Sequence, residues 1–535
     1  MCGFTILYNT SKDFNKKDMK ELLLLNKHRG PDETTIIEKK DFIIGFNRLS
    51  INNINNGHQP FYSKKNNLLI CFNGEFFNYQ EEIKKTFNNK IKVKSEVEAI
   101  YYLYIELGIK FVKKIRGFFS IAIIEINKRK VFFMNDKYGI KPLYYGKLIN
   151  KEYFITSDYS PLIKKGLISK NLDYKGIQNY LSRGNLNFNT VFKEIKRLKA
   201  ATYGTINNKI ILKKYWSAKF ENKEYKISDL DKVLEETVNL WKLSESNLSL
   251  SLSDGVDSLL IHKYLKKLGV KFNSYTKRFN YKSINFKKDG IKTKLINFDI
   301  KKSFMYLNKY FDNSSIPLNN ASDLTLFFIY DEISKNKKIK VNFVGEGADE
   351  IFGGYDRYKL FVSNRKQYLK NIYKNENKLF SIFKYFTKNK DQHKKIKTKN
   401  DLLKFDQENW VPSVVMRHDL IGMLFSIEAR PIFLDGKIVD FANSVSSSKK
   451  YTKTQSKIFL KELADKYKIN YIKTKKGTPN YFNTVFEDDR FQNEFKKVLR
   501  TKSMTSIFDI DLNLKNISSN DYILNWRMYN LAKII

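Results

Sequence analysis

Cys2 has the chemistry of a nucleophile and follows the initiator methionine directly. Removal of Met1, which a small second residue favours, would leave a cysteine with both a thiol and a free α-amine. That amine titrates at about pH 8, so its neutral fraction can take the thiol proton directly or through water. The alternative is a small hydrophobic side chain that enters a strand over Phe4–Tyr8. The residue by itself leaves both interpretations open.

Two loops in the second half of the chain carry residue types that bind phosphate. Residues 253–258 (SDGVDS) lie between a predicted strand and a predicted helix, where backbone N–H groups and serine hydroxyls can hold phosphate oxygens. A helix N-cap with a tight turn is the alternative, and the Lys-Ser/Thr ending of a Walker A loop is absent. Residues 345–355 (GEGADEIFGGY) place three acids between glycines at a predicted strand end. A solvated turn is the alternative there.

Three short motifs of the first half combine arginine, asparagine and carboxylates with turn residues. They are HRGPDE (28–33), RLSI (48–51) and NGE (73–75). Glycine with proline or asparagine marks a turn in any protein, so each motif is weak by itself. Their chemistry converges, because an arginine and a carboxylate can hold the two ends of an amino acid. An asparagine amide and a glycine N–H can stabilise an oxyanion beside a thiolate.

Composition limits the classes of protein and of cofactor. The 535 residues, 42% of them hydrophobic, predict two to four globular domains. Two cysteines and five histidines without a ligand-pair spacing exclude a disulfide framework and a Cys-rich metal site, so any metal chemistry requires carboxylates and a hard ion. The net charge of +42 is spread over the chain among Asn and Ile, which indicates codon bias and weak polyanion attraction rather than specific nucleic-acid binding. No apolar run of about 18 residues and no signal peptide is evident, so we expect a cytoplasmic protein without membrane insertion.

Hydrophobic periodicity predicts two domains, residues 1–210 and 211–535. The first is β-rich, and a polar connector over 198–215 is expected to end it. Strand–helix alternation follows from about residue 226 and predicts a parallel sheet, with helices dominant after residue 371. The strands of the first domain are predicted at Phe4–Tyr8, Phe42–Phe46, Leu68–Phe72, Phe118–Ile126, Val131–Met134 and Tyr153–Thr156.

Seven ordered motifs of the first half resemble the class II glutamine amidotransferase domain. They are MCG (1–3), HRGPDE (28–33), RLSI (48–51), NGEFFNY (73–79), SEVE (95–98), RGFFSIAI (116–123) and NDKYGIKPLYYG (135–146). The resemblance implies that Cys2 is the nucleophile and that Asn73 and Gly74 form the oxyanion hole. It also implies glutamine binding by Arg48, Leu49, Ile51, Asn73, Gly74, Glu75 and Glu96. The family usually has Asp where Glu96 stands and Arg where Asn135 stands.

The second half resembles the ATP-pyrophosphatase part of glutamine-hydrolysing asparagine synthetases. SDGVDS is similar to the SGGxDS loop, with Asp254 in place of Gly, and VGEGADEIFGGY is similar to SGEGxDE(L/V)FGGY, with Val344 in place of Ser. SIEARPIFLD (426–435) and KTKKG (473–477) resemble two further segments. The resemblance implies Mg²⁺ ligation by Asp257 and Asp349, a base role for Glu346 and charge neutralisation at the α-phosphate by Lys475. The implied ATP-binding residues are Leu252, Ser253, Asp254, Gly255, Asp257, Ser258, Val344, Gly345 and Asp349.

Together the resemblances imply an N-terminal Ntn-hydrolase α/β/β/α sandwich followed by an α/β ATP-pyrophosphatase domain with a helical C-terminal part. They imply that glutamine supplies ammonia, which crosses an apolar passage and amidates a carboxylate that ATP has adenylated. Aspartate is the default acceptor. A sugar acid of surface polysaccharides is the alternative, and a binding protein without synthetase activity is the other class left open. The resemblance also allows a homodimer.

Overall fold

The computed structural model of the protein describes residues 2–184, 188–277, 286, 290–387, 393–473, 482–509 and 522–535. The strands before residue 215 are β1 (Gly3–Tyr8), β2 (Glu33–Lys39), β3 (Phe42–Arg48), β4 (Phe61–Ser63), β5 (Leu68–Phe76), β6 (Gly117–Glu125), β7 (Lys130–Asn135), β8 (Tyr144–Lys147), β9 (Tyr153–Thr156), β10 (Ile195–Arg197), β11 (Thr202–Ile206) and β12 (Ile210–Lys214). The helices among them are α1 (Lys16–Leu25), α2 (Tyr79–Phe87), α3 (Glu96–Leu107), α4 (Ser160–Lys164) and α5 (Tyr174–Arg183).

These strands form two antiparallel sheets that face each other. The first sheet has the order β10-β8-β9-β1-β3-β2 and the second has the order β12-β11-β7-β6-β5-β4. Apolar side chains of both sheets, among them Phe4, Ile44, Leu69 and Ala122, form a common core. Helices α2 and α3 cover the outer face of the second sheet, and α1 packs on β3 of the first. This arrangement confirms the predicted α/β/β/α sandwich.

The predicted polar connector over 198–215 is wrong, because these residues form a β-hairpin of the second sheet. Strands β11 and β12 pair antiparallel from Thr202↔Lys214 to Ile206↔Ile210. Four of the five residues of β12 are exposed, including Ile211 and Leu212, and the strand is held at the sheet edge by its backbone pairing with β11. The predicted domain boundary after residue 210 falls inside this edge strand.

The NGE motif also differs from its predicted position after a strand, because β5 continues through Asn73, Gly74 and Glu75 to Phe76. Gly74 lies opposite Phe119 of β6 and has a φ of 151°, and a Cβ there would stand 2.0 Å from the Phe118 carbonyl oxygen. Only glycine fits this close approach. The NGE motif therefore pairs with β6 as part of β5, and this buried strand fixes the position of Asn73.

The second half is built on a parallel sheet with the order β15-β14-β13-β16-β17. Its elements are α6 (Ile227–Trp241), β13 (Asn247–Ser251), α7 (Val256–Lys267), β14 (Phe272–Lys277), β15 (Lys294–Ile296), α8 (Ile300–Asn313), α9 (Leu324–Ser334), β16 (Ile339–Val344), α10 (Ala348–Phe352), α11 (Asp356–Ser363), α12 (Arg365–Ile382), α13 (Lys399–Asn409), α14 (Val411–Leu424), β17 (Glu428–Pro431), α15 (Gly436–Ser444), α16 (Ile458–Lys466), α17 (Phe482–Phe486), α18 (Asp489–Leu499), α19 (Lys502–Ile507) and α20 (Tyr522–Ala532).

The strand–helix alternation positions both phosphate-type loops. Strands β13 and β16 are neighbours, and their carboxyl ends lead into residues 252–255 and 345–347. Ligands of open α/β sheets bind at this edge, where the strands end and the helices begin. Within the described part of the chain, no helix is both long and apolar enough to cross a membrane.

Candidate active sites

Cys2 lies immediately before β1 and is 6% exposed. Its backbone nitrogen, which becomes the α-amine when Met1 is removed, donates a hydrogen bond of 2.9 Å to Asn73 Oδ1. Burial raises the pKa of the Cys2 thiol, whereas a hydrogen bond from the Leu49 backbone and the charge of Arg48 act to lower it. A buried thiol needs a nearby proton acceptor to become a thiolate. The α-amine of the same residue would meet that need.

The predicted glutamine-binding residues surround one small cavity beside Cys2. Its walls include Arg48, Leu49, Ile51, Gly74, Glu75 and Glu96. Asn73 is not among the residues lining this cavity, but it contacts Cys2 from β5. Sequence regions that are up to 94 residues apart in the chain thus meet at a single thiol, because β1, β3, β5 and the start of α3 converge there.

The charged groups of this cavity are held in place by hydrogen bonds. Arg48 donates to the carbonyl oxygens of Ile54 and Asn53 at 2.9 and 2.8 Å. Glu96, which stands where the family usually has Asp, accepts a hydrogen bond of 2.6 Å from the Phe76 backbone. Burial raises the pKa of Glu96 to about 7 in spite of that bond. A bound α-ammonium group would favour the carboxylate form.

Glu75 receives a counter-charge from the second half of the chain. Its Oε1 lies 3.3 Å from Arg430 Nη2, and Arg430 also donates to Glu428 at 2.8 Å. Arg430 is fully buried and is fixed by the carbonyl oxygens of Trp241 and Leu243. Burial and the charge of Glu428 raise the pKa of Glu75, and Arg430 acts to lower it. A residue of β17 therefore supports one wall of this cavity, the predicted glutamine cavity.

A second cavity of about 250 Å³ opens where β13, β14 and β16 end. All of the predicted ATP-binding residues line it: Leu252, Ser253, Asp254, Gly255, Asp257, Ser258, Val344, Gly345 and Asp349. Ser253 N–H donates to Ser258 Oγ at 2.9 Å, which closes the loop onto the first turn of α7. Backbone amides at a helix N-terminus favour phosphate oxygens.

Lys457 joins the two predicted metal ligands. Its ammonium lies 2.6 Å from Asp349 Oδ1 and also contacts Asp257 Oδ2. Burial lowers the pKa of Lys457, but the two carboxylates outweigh it and raise the pKa above the usual range. Asp257 and Asp349 therefore converge on one buried ammonium group.

Carboxylate oxygens are ligands that Mg²⁺ prefers, so the donor set fits the implied ion. Within the described residues no group of three or more His, Cys, Asp or Glu could hold a metal. Asp257 and Asp349 alone would thus bind Mg²⁺ with help from phosphate oxygens and water, as is usual for nucleotide sites. The ion would share the carboxylates with Lys457 or replace it.

Glu346 lies in the same cavity and is surrounded by cationic or protonatable groups. His418 Nε2 is 2.6 Å from Glu346 Oε1, and Arg417 Nη2 is 3.7 Å from the same oxygen. Burial acts to raise the pKa of Glu346, but the His418 hydrogen bond and the charges of Arg417 and Lys277 hold it well below the usual range. Burial and Arg417 lower the pKa of Lys277 to about 7.

The predicted Lys475 lies outside the described residues. Lys473 and Lys461 lie on the cavity wall, and Lys461 donates to the Lys473 carbonyl oxygen at 3.4 Å. Lys473, the first residue of the KTKKG motif, therefore lies at the cavity wall. The role of Lys475 stays a prediction.

A third, smaller cavity lies at the contact between the two halves. Ile140 and Lys141 of the first half line it together with Val344, Glu346 and His418, which also line the ATP-type cavity. None of its lining residues is among those that the structure places around the glutamine cavity. It therefore reaches from the interface to Glu346, and the ammonia passage between the two sites stays a prediction.

Buried ion pairs hold the two halves together around these cavities. Arg29 Nη1 lies 2.9 Å from Asp419 Oδ2, with both side chains at most 2% exposed. Arg116 Nε lies 2.9 Å from Asp435 Oδ2, whose side chain is fully buried. Truncating one member of such a pair leaves an uncompensated charge, so the relative position of the halves is strongly fixed.

Several of these side chains were not assigned a role from the sequence: Lys457, Lys277, Arg417, His418 and Arg430. Lys457 and Lys277 are two of many lysines in a very basic chain, so nothing in the sequence distinguishes them from lysines at the surface. Arg430 lies in the SIEARPIFLD motif, two residues after Glu428. This spacing along a strand could have suggested a buried ion pair between the two side chains.

Both halves of the chain match models of known protein families. Residues 1–216 match the family model of the glutamine amidotransferase domain, and residues 229–506 match that of asparagine synthase. The chain belongs to the asparagine synthase family, as the sequence motifs predicted, because the second match covers more than half of its length.

Curated relatives agree with this assignment. The chain is 27% identical over 391 residues to "Asparagine synthetase [glutamine-hydrolyzing] 1" of Bacillus subtilis, with 67% of this chain and 60% of the relative covered. It is 30% identical over 284 residues to "Asparagine synthetase [glutamine-hydrolyzing] 2" of the same organism, with 49% and 38% covered. It is 26% identical over 403 residues to "Putative asparagine synthetase [glutamine-hydrolyzing] 2" of Methanocaldococcus jannaschii, with 66% and 76% covered. The chain thus spans less than two thirds of the length of the first two relatives.

Proposed function

We propose that the protein hydrolyses glutamine at Cys2 and uses the ammonia to amidate a carboxylate that ATP has activated. The observation that carries the proposal is the presence of two separate cavities in one chain. One surrounds a buried thiol with amino-acid-binding groups, and the other combines phosphate-type loops with Glu346. We also propose that residues 1–210 house the first reaction and residues 211–535 the second.

In the first cavity, the α-amine of Cys2 takes the thiol proton and the thiolate attacks the glutamine side-chain amide. Asn73 and the Gly74 N–H stabilise the oxyanion that develops. Arg48 would hold the α-carboxylate of glutamine, and Glu75 with Glu96 would hold its α-ammonium. Ammonia leaves, and water hydrolyses the thioester.

In the second cavity, a carboxylate of the acceptor attacks the α-phosphorus of ATP and releases pyrophosphate. The loop 252–258 and the ammonium of Lys457 would bind the phosphates, and Mg²⁺ at Asp257 and Asp349 would supply charge neutralisation. Ammonia then attacks the acyl-adenylate and AMP departs. Glu346, which lines this cavity, would accept a proton from the attacking nitrogen.

Aspartate is the first acceptor to test, because the relatives are named asparagine synthetases. Pyrophosphate release would be measured with ATP, Mg²⁺, glutamine and a panel of acids that includes aspartate and sugar acids. Release that depends on one acid identifies the acceptor. Glutaminase activity with no pyrophosphate for any acid would refute the synthetase function and leave a binding or regulatory role.

A further inference from the structure

Lys141 is a buried lysine in the wall of the third cavity. It belongs to the NDKYGIKPLYYG motif, and no role was assigned to its side chain from the sequence. The side chain is 1% exposed, and its Nζ lies 3.8 Å from Asp419 Oδ1 and 4.6 Å from the centre of the Phe118 ring. Glu346 also lines this cavity. Because an ammonium group is costly to bury, this position requires the carboxylates around it.

The Lys141 ammonium supplies counter-charge to carboxylates of both halves. It shares Asp419 of α14 with Arg29, whose Nη1 lies 2.9 Å from the other carboxylate oxygen. Burial lowers the pKa of Lys141 and Arg29 adds to this effect, whereas the carboxylates of Glu428, Asp419 and Asp136 oppose it and favour the ammonium form. Removal of the lysine charge would therefore leave these carboxylates without part of their counter-charge.

Strand β17 separates the third cavity from the glutamine cavity. Successive side chains of a strand point to opposite faces. Arg430 faces the glutamine cavity, where it contacts Glu75, and Ala429 and Pro431 line the third cavity. The third cavity has a volume of about 10 Å³, close to what one water-sized molecule needs. A molecule of ammonia has that size, and Lys141 forms part of the wall that it would meet.

We propose that Lys141 occupies the cation position of this cavity, so that ammonia stays there as neutral NH₃ and is not trapped as ammonium. This role rests on the proposed function, because it concerns the ammonia that Cys2 releases. The ammonium group of a lysine and NH₄⁺ carry the same charge, and both donate N–H bonds to carboxylates. The side chain thus fills the position that NH₄⁺ would take beside Asp419.

Like-charge repulsion makes a second cation unfavourable in the same cavity, and buried charges are screened little by salt. Neutral NH₃ carries no such penalty. It is also the form that has a lone pair for attack on the acyl-adenylate. Lys141 is therefore a residue that selects the form of the transferred nitrogen and does not take part in bond formation.

The first experiment tests the cation position without any activity. Thermal unfolding of full-length wild type, Lys141→Ala and Lys141→Met is measured in sodium, ammonium or methylammonium chloride at equal concentration. Lys137→Ala is the matched control, because Lys137 lies in the same motif and faces Asp440 at 4.0 Å, but its side chain is 30% exposed.

We expect both Lys141 variants to have a lower Tm than the wild type in sodium chloride. Ammonium and methylammonium should raise the Tm of Lys141→Ala by about 2–4 °C over sodium, since they bind the vacated position in the folded state. The wild type and Lys137→Ala should show no such difference between the three salts.

The second experiment measures how much of the ammonia reaches the product. The proteins are supplied with ATP, Mg²⁺, glutamine and aspartate, or the acid that the pyrophosphate screen selects, and both glutamate and amide are quantified. The ratio of amide to glutamate should be about 10-fold lower in Lys141→Met, because loss of the counter-charge raises the pKa of ammonium in the cavity by about one unit or more. The KM for glutamine and the rate of glutamate formation should stay within about twofold of the wild type, and Lys137→Ala should keep the wild-type ratio.

An unchanged ratio of amide to glutamate in Lys141→Met would overturn the proposal. An equal fall of glutamate and amide in a folded variant would overturn it as well, because Lys141 would then act on the glutamine cavity. Failure of ammonium and methylammonium to stabilise Lys141→Ala would show that the cavity has no cation position. A wild type that forms no amide with any acid would refute the proposed function and the ammonia role of Lys141, whereas the response of Tm decides the cation position by itself.

Discussion

Replacement of Lys457 by Met should destabilise the second half unless Mg²⁺ is present. The Lys457 ammonium lies 2.6 Å from Asp349 and also contacts Asp257, and its side chain is 6% exposed. A single pair at that distance is worth about 6 kcal/mol at an effective dielectric constant of about 20. Desolvation offsets part of this energy, and breaking a buried pair typically costs about 3–5 kcal/mol. We expect a loss in that range for Lys457→Met.

The assay is thermal unfolding of the wild type and the variant with and without MgCl₂. Without Lys457, Asp257 and Asp349 repel each other, so Mg²⁺ should bind the variant more tightly and raise its Tm more than that of the wild type. Lys466→Met is the matched control. Lys466 is the last residue of α16, the helix that begins directly after Lys457, and it contacts Asp231 at 2.7 Å, but its side chain is 48% exposed. Its loss should change Tm little and should not alter the response to Mg²⁺.

Two results would refute this reasoning. A Lys457→Met protein as stable as the wild type in metal-free buffer would show that the lysine does not neutralise the two carboxylates. An equal Mg²⁺ response in both proteins would show that Asp257 and Asp349 do not form a position for the ion.

Three further predictions concern the glutamine cavity. Cys2→Ala should abolish glutamine-dependent product but keep synthesis from ammonium chloride, and failure of ammonia to support the folded variant would contradict the division of labour. The KM for glutamine should rise as pH falls through about 7, because Glu96 is then protonated and no longer attracts the α-ammonium group. The Glu96→Gln variant should have a raised KM for glutamine at every pH, without this dependence. A variant whose KM follows the wild-type pH profile would count against the assignment of Glu96 to glutamine binding. Arg430→Met should raise the KM for glutamine by about 10- to 100-fold, because an opposite charge this close typically shifts a carboxyl pKa by about 1–3 units and its loss favours the neutral form of Glu75. Arg430→Lys should lie between, whereas equal KM values in all three proteins would show that Arg430 does not support Glu75.

Periodicity and turn residues were sufficient to predict most of the fold that positions the sites. Strands β1 and β3 beside Cys2 and the two loops at the ends of β13 and β16 lie where the pattern placed them, whereas β5 continues past its predicted end at Phe72 to Phe76. The failure at β11–β12 has a physical cause. β12 is a short edge strand with both faces exposed, so the alternation of apolar and polar residues that marks a half-buried strand is absent from Ile210–Lys214.

The partners of the site residues could not be predicted in the same way. Glu346 and His418 are 72 residues apart, and Lys457 and Asp257 are 200 residues apart. Local sequence gives no signal for such pairs, since they depend on how helices pack on the sheet. The chain has 98 lysines and arginines, and the sequence does not show which few of them lie in a cavity.

The contact of Arg430 with Glu75 has a consequence for synthesis on the ribosome. The strand that carries Arg430 is made about 350 residues after Glu75, which takes about 20–70 s at typical rates of translation. During that time the sandwich can fold around Cys2, but its glutamine cavity lacks the guanidinium that balances Glu75. A nascent chain would therefore bind glutamine poorly and would consume little of it before the synthetase half is in place.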